Sequence, residues 1–293
     1  MTGVFVADAH LADSHSARYS HWSACDDAAM PSHFSTIGFD VTSAESMLEL
    51  VERIRPAAVP IITRRGTYLR WTSPSGAELW LQVNKRSELV GVHPHFAGTT
   101  NSNVMIDRVI SRDDQTELDG ALHGWMNAKP ETGGGDYPLV MDCANYFEFR
   151  REAPPAFATL QISAFAHEIW TYESVDAFNA AQQNDELRYA SQSFIAAGTF
   201  GDREAPQAEA LFCGHVLRSE IRHNDLTGRA FYSATVQTYA ATIDVVADTK
   251  LTEAWPTVGG VLKGVFWLTA CITSMATRAG VIKQLAWRLR TAG

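Results

Sequence analysis

Strand-length apolar segments, each closed by turn residues, follow one another through most of this chain, and only one helix start of any length is written clearly among them. "GTYLRW", "AELWLQVN", "ELVGVHPHF", "VMIDRVI", "YPLVMDCA", "FATLQISAFAHEIWTY" and "VGGVLKGVFWLTACI" are rich in β-branched and aromatic residues, which suit a pleated surface. A chain of this kind has to build sheets and bury their faces. With 293 residues, 46% of them hydrophobic, it has material for two cores.

The order of segments suggests two modules. "HFSTIGFDV" alternates Phe34, Thr36 and Gly38 against Ser35, Ile37 and Phe39 and is expected as a strand. Thr42 and Glu45 in "TSAE" fit a capping box, Met47, Leu48, Val51 and Ile54 recur at helical spacing, and Pro56 stops the helix. Three strands follow, the first two joined by "SPSG". Residues 104–150 hold "VMIDRVI", "ALHGWMNA" and "YPLVMDCA", with "TGGGDYP" as a hairpin loop. The charged, proline-rich "REAPPAF" marks a boundary near residue 150. Beyond it come a strand, a short helix capped by Ser174, a hairpin turning at Asn224, Asp225 and Gly228, and a final strand.

Strand, helix and then three strands resemble the βαβββ module of the vicinal oxygen chelate (glyoxalase-like) superfamily. "SPSGAELWLQV" looks like its strand pair around a D-P-x-G turn. Residues 151–275 resemble a small OB-type β-barrel. The resemblance implies an α+β fold: a mixed βαβββ-type sheet domain over 30–150, a β-barrel domain over 151–275 and a helical tail over 276–293. Residues 1–29 are expected as a disordered or non-native leader, with Met30 a candidate natural start. The superfamily holds a divalent ion on His, Gln or Glu ligands at strand ends. Here the register places Thr36 rather than His33, and Trp80 rather than Glu78, at those positions.

Candidate site residues follow from the same strands. His93 and His95 share one face of an extended strand, with Pro94 between them placing the pair on an edge or strand end. His33, His93, His95 and His123 are the candidate metal ligands, with Glu78 and Asp142 as further possible ligands and Glu78 also as the carboxylate that would move a proton. The pair itself is expected as a strand-end feature rather than a strong metal site. Tyr68, Trp71, Trp80, Trp125 and Tyr137 could instead line a concave sheet face as a ligand pocket, with Arg70 and Gln82 as polar fixers. Such a face needs a cover: a ligand, the second module or another subunit.

Charge and cysteine usage narrow the class of function. A formal charge of −9 disfavours nucleic acid and anionic membranes as partners. No apolar run is long enough for a membrane span. Cys25, Cys143, Cys213 and Cys271 form no C-x-x-C pair, which points to a reducing, cytoplasmic setting. No G-x-S-x-G elbow occurs, and Cys143 in "LVMDCA" reads as a buried structural thiol. The expectation is a non-catalytic protein that binds a small molecule or another protein, with homo-oligomerisation open. The alternative is a metal-dependent enzyme of the vicinal oxygen chelate type.

Overall fold

In the computed structural model, residues 33–112, 115–129, 134–149, 154–199, 205–252 and 254–275 are described. The expected leader, Met30, residues 151–153 of the boundary segment and the helical tail lie outside them. Strand makes up 53% and helix 13% of the described residues, so the chain is mostly β, where α+β was expected.

Helix α1 (Ala44–Ile54) opens a four-stranded antiparallel meander, β1 (Val59–Ile62), β2 (Gly66–Thr72), β3 (Ala77–Asn84) and β4 (Leu89–Phe96). Its capping box sits one residue later than the sequence suggests, on Ser43 and Ser46. Leu50, not Leu48, joins Met47, Val51 and Ile54 inside. The expected first strand of a βαβββ unit does not form. Residues Ser35–Ile37 make a 3-10 turn ending on Gly38 at φ 80°, and Phe34, Thr36, Ile37 and Phe39 are all buried. Asn224 Nδ2 donates to Ile37 O at 2.8 Å and Thr227 Oγ1 to Gly38 O at 2.6 Å. A segment buried except at Ser35 and bonded to a distant turn has no free edge to pair, whatever its alternation.

A nine-stranded mixed sheet holds the remainder: β5 (Ser102–Ile110), β6 (Ala121–Lys129), β7 (Gly134–Cys143), β8 (Ala156–Tyr172), β9 (Ser193–Ile195), β10 (Glu209–His223), β11 (Ala230–Gln237), β12 (Thr242–Asp248) and β13 (Val261–Met275). A short helix α2 (Val175–Ala181), capped by Ser174 as expected, follows β8. The long strands β8 and β13 pair antiparallel over nearly their whole length. The meanders β5-β6-β7 and β10-β11-β12 each close onto this central pair, giving two five-stranded rings that share two strands. The first strand of each meander pairs with its own long strand. The third runs parallel to the long strand of the other, β7 to β13 and β12 to β8.

The arrangement is an approximate two-fold repeat centred on the facing pair Ser163 and Thr269. The boundary near residue 150 therefore falls between two strands of one sheet. One hydrophobic core runs from Val104 to Ile272 across it. If strand exchange between the rings holds the halves together, a chain cleaved at a protease site inserted after Arg151 should still elute as one species. Its fragments should part only in denaturant; native separation into two folded pieces would contradict the shared sheet.

Candidate functional site

Strand alternation sorts the outer face of the large sheet. The ladder places Ala121, Asp142, Thr269, Ser163, Asp244, Thr235 and Arg218 side by side across adjacent strands. Residues paired in this way share a face, so a polar row crosses the sheet through its pseudo-two-fold centre.

The four-stranded sheet covers that row. One of its faces, with Trp71, Leu79 and Leu81, packs in the same core as Met47, Leu50, Val51 and Ile54 of α1. The other carries Tyr68, Arg70, Glu78, Trp80, Gln82, His93 and His95, as their cross-strand partnerships require. Tyr68, Arg70, Trp80 and Gln82 thus share a face, and Trp71 lies on the opposite one. The cover is the large sheet. Tyr68 packs 5.0 Å from Phe147 and bonds to Leu118 O. Gln82 donates to Asp119 at 2.5 Å. Glu78, fully buried, accepts from Arg70 Nε (3.0 Å), Thr72 Oγ1 (3.0 Å) and Trp80 Nε1 (3.2 Å). A carboxylate with its lone pairs spent in this way clamps three strand residues together.

His93 to Thr100 lie along the polar row. His93 Nε2 is 2.7 Å from Thr269 Oγ1, and His95 Nδ1 is 3.2 Å from the same oxygen. With the Gln161 amide turned so that its nitrogen donates to His95 Nε2 (2.6 Å) and Phe96 O (3.0 Å), the protons can be placed. His95 carries its proton on Nδ1 and gives it to Thr269. The Thr269 hydroxyl gives its own to His93 Nε2. His93 is then protonated on Nδ1, which has no hydrogen-bond partner among the described residues. Further along, Thr100 N and Oγ1 both reach Asp244 Oδ2 at 2.8 Å, and Thr235 Oγ1 reaches Oδ1 at 3.0 Å.

At the Asp142 end the row opens into a histidine cluster. His33 stacks on Trp267 with ring centroids 4.1 Å apart, and its Nε2 is 2.9 Å from His167 Nε2. His93 stands 5.3 Å from the same indole. Asp142 accepts from Trp267 Nε1 at 2.7 Å and from Arg112 Nη1 at 2.8 Å. His33, His93 and His167 are half-buried, while His95 is sealed in. Desolvation lowers the pKa of all four. His33 falls to about 3, helped by His167 and His93. His95 falls to about 4, against the pull of Glu78. For His93 the pull of Asp142 and Asp119 opposes burial without overcoming it. The cluster is neutral at pH 7.

The four candidate metal ligands do not all converge. His33, His93 and His95 belong to the cluster, but His123 sits apart on Asp107. Among the described residues no group of three or more His, Cys, Asp or Glu is placed to hold a metal ion. Trp125 also bonds to Asp107. His167, Trp267, Thr269 and Gln161 were not expected at a site. Their signal was polar or aromatic residues two apart inside long apolar strands, "QISAFAH" and "WLTAC". At the other end of the row a small cleft is lined by Phe96, Arg218, Arg222, Ser233, Thr235 and Asp244. Both of its guanidinium groups are paired with Glu220.

No protein-family model matches the chain, and no curated protein matches it. Among the described residues no helix is long and apolar enough to cross a membrane.

Two outcomes follow from this geometry. A Cβ on Gly98 would stand 2.0 Å from Asp244 Oδ2, and that carboxylate is held by three hydrogen bonds. Gly98→Ala should therefore cost about 2–3 kcal/mol in urea unfolding, as overpacking does; a neutral result would mean the row yields easily. The second concerns pH. His95 has a folded-state pKa near 4, below the unfolded 6.5. Its neutral form is thus fully accommodated above pH 6.5, and stability falls as the pH drops from 6.5 toward 4. The loss is on the order of 3 kcal/mol for His95 alone. His95→Gln should remove its share of that dependence and leave the share of His33, whose pKa is also lowered, measured by urea unfolding at pH 7.5, 6 and 5.

Proposed function

We propose that the protein binds a small, uncharged molecule with a hydrogen-bond acceptor, such as a carbonyl, among His33, His93, His167 and Trp267. The observation that carries this is the unspent Nδ1–H of His93. It is the free end of a proton chain whose other members are fixed by Thr269, His95 and Gln161. A chain built only for packing would end on a partner. This one ends in a half-buried group beside an indole, in a cluster of shifted histidines of the kind that gathers at functional sites.

Electrostatics selects the ligand's charge. Asp119, Asp142, Glu168 and Glu209 all act on His93 or His167 in the sense of raising their pKa. Arg112 is paired with Asp142. A negative field of this kind disfavours anions, and neutral imidazoles offer no charge to hold one. Acceptors without charge remain. On this basis the protein is a binding protein rather than a metal-dependent enzyme, a reading with weaker support because His123 lies apart from the other candidate ligands.

Benzamide and benzoate differ in charge at constant shape, so thermal unfolding of the full chain with each tests both parts of the reading. Benzamide should raise the melting temperature and benzoate should not, and the rise should vanish in His93→Ala and shrink in His167→Ala. No shift with benzamide, a larger shift with benzoate, or a shift that survives both substitutions would refute it.

A further inference from the structure

The proposed site leaves one chemically organised group unused. The β5–β6 register slips between Ile106 and Arg108, and this bulge frees Asp107 from the ladder. Bulges of this kind re-aim a side chain. Asp107 Oδ1 takes His123 Nδ1 at 2.5 Å, and its Oδ2 takes Trp125 Nε1 at 3.0 Å. His123 and Trp125 are two apart on β6 and share a face, their rings 5.6 Å apart and nearly perpendicular.

Each contact has a consequence. The indole holds one carboxylate oxygen, so the carboxylate cannot swing away from the imidazole. The other oxygen fixes the proton of neutral His123 on Nδ1 and puts the lone pair on Nε2. Among the described residues Nε2 has no hydrogen-bond partner. The His123 side chain keeps 5% exposure and that of Asp107 27%, so the group lies near the surface with a narrow approach.

We propose that Asp107 and His123 form a second, nucleophilic site that accepts acyl groups from small activated acyl donors at His123 Nε2. The Nε2 lone pair attacks the carbonyl carbon of an ester. The N–C bond forms as the C–O bond to the alkoxide or aryloxide breaks, and the leaving group departs with that electron pair. The acyl-imidazolium gives its Nδ1 proton to Asp107, whose negative charge stabilises it while it forms. Asp107 returns the proton to Nδ1, water attacks the acyl carbon, and the C–O bond forms as the C–Nε2 bond breaks with its electron pair left on Nε2; the carboxylate is released, and the two protons of water pass to the departed alkoxide or aryloxide and to solvent. Trp125, half-buried beside the ring, offers an apolar wall to an aryl leaving group. The narrow approach restricts the donors to small ones.

The test uses p-nitrophenyl acetate and the full chain. Wild-type protein should release nitrophenolate about tenfold or more faster than Asp107→Asn, because an amide no longer enforces the Nδ1–H tautomer or balances the imidazolium. His123→Gln should fall to the same background, and His223→Gln, at an exposed histidine far along β10, should keep the wild-type rate. Peptide mapping after rapid quench should find the acetyl group on His123. Should His123→Gln fail to fold, Asp107→Asn and the mapping decide. Equal rates in wild type and in an Asp107→Asn variant with unchanged melting temperature, or acetylation of His223 in preference to His123, would overturn the proposal.

Discussion

Everything in this fold is arranged around one edge strand and its exit, His93 to Thr100, laid along a polar row on the large sheet. The row is an unusual surface to bury. Asp142, Thr269, Ser163 and Asp244 lie side by side across the central strands, and leaving such groups without partners would cost about 1–3 kcal/mol each. The β4 segment supplies partners for three of the four, with imidazole for Thr269, the Phe96 carbonyl for Ser163 and the backbone and hydroxyl of Thr100 for Asp244. Removing water from the row thus depends on one register of β4. A slip of one residue would turn both histidines away and face Pro94 to the sheet.

That dependence explains the position of the small sheet as well. Its inner face is polar where it meets the row and aromatic where it meets Phe147 and Ala144, and its outer face is apolar because α1 lies on it. The burial of Glu78 follows from the same arrangement. A carboxylate opposite His95 in the ladder could have been solvated by water only at an open face. Here it is closed over, and Arg70, Thr72 and Trp80 stand in for water.

Local elements were legible in the sequence to the extent that their signals were local. The meander of β2 to β4, the Ser174 cap, the turn at Gly228 and the long strands β8 and β13 all carry β-branched runs or residues with special dihedrals. The short strands Val59–Ile62 and Ser193–Ile195 have few residues to express any period. Residues 34–39 alternate in sequence, but all except Ser35 are buried, and the segment is held by Asn224 and Thr227, nearly two hundred positions away. The two-fold repeat is invisible in composition, since strand exchange needs only matching pairing edges. Asp142 and Asp244 are its main trace, each beside a hydroxyl residue of a long strand. The site was half legible for the same reason. His33, His93 and His95 attract notice as histidines, whereas Trp267, Thr269 and Gln161 read as ordinary members of buried strands until the partner sheet is in place.

The two ends of the row occupy equivalent positions in the repeat yet have been finished differently. Asp244 receives three hydrogen bonds from Thr100 and Thr235, and Gly98 approaches it so closely that no side chain could fit. That end is stapled shut by the chain leaving β4. Among the described residues no such loop reaches Asp142. Arg112 and Trp267 hold it instead, and the space a loop would fill is taken by half-buried imidazoles that keep their neutral form. A rigid row therefore backs both ends, but at only one is the front made of side chains whose polar atoms are not all committed. Differences of this kind between copies of one unit show where packing has ceased to be the only demand, because the sealed copy demonstrates that the same ladder position can be closed with backbone and threonine alone.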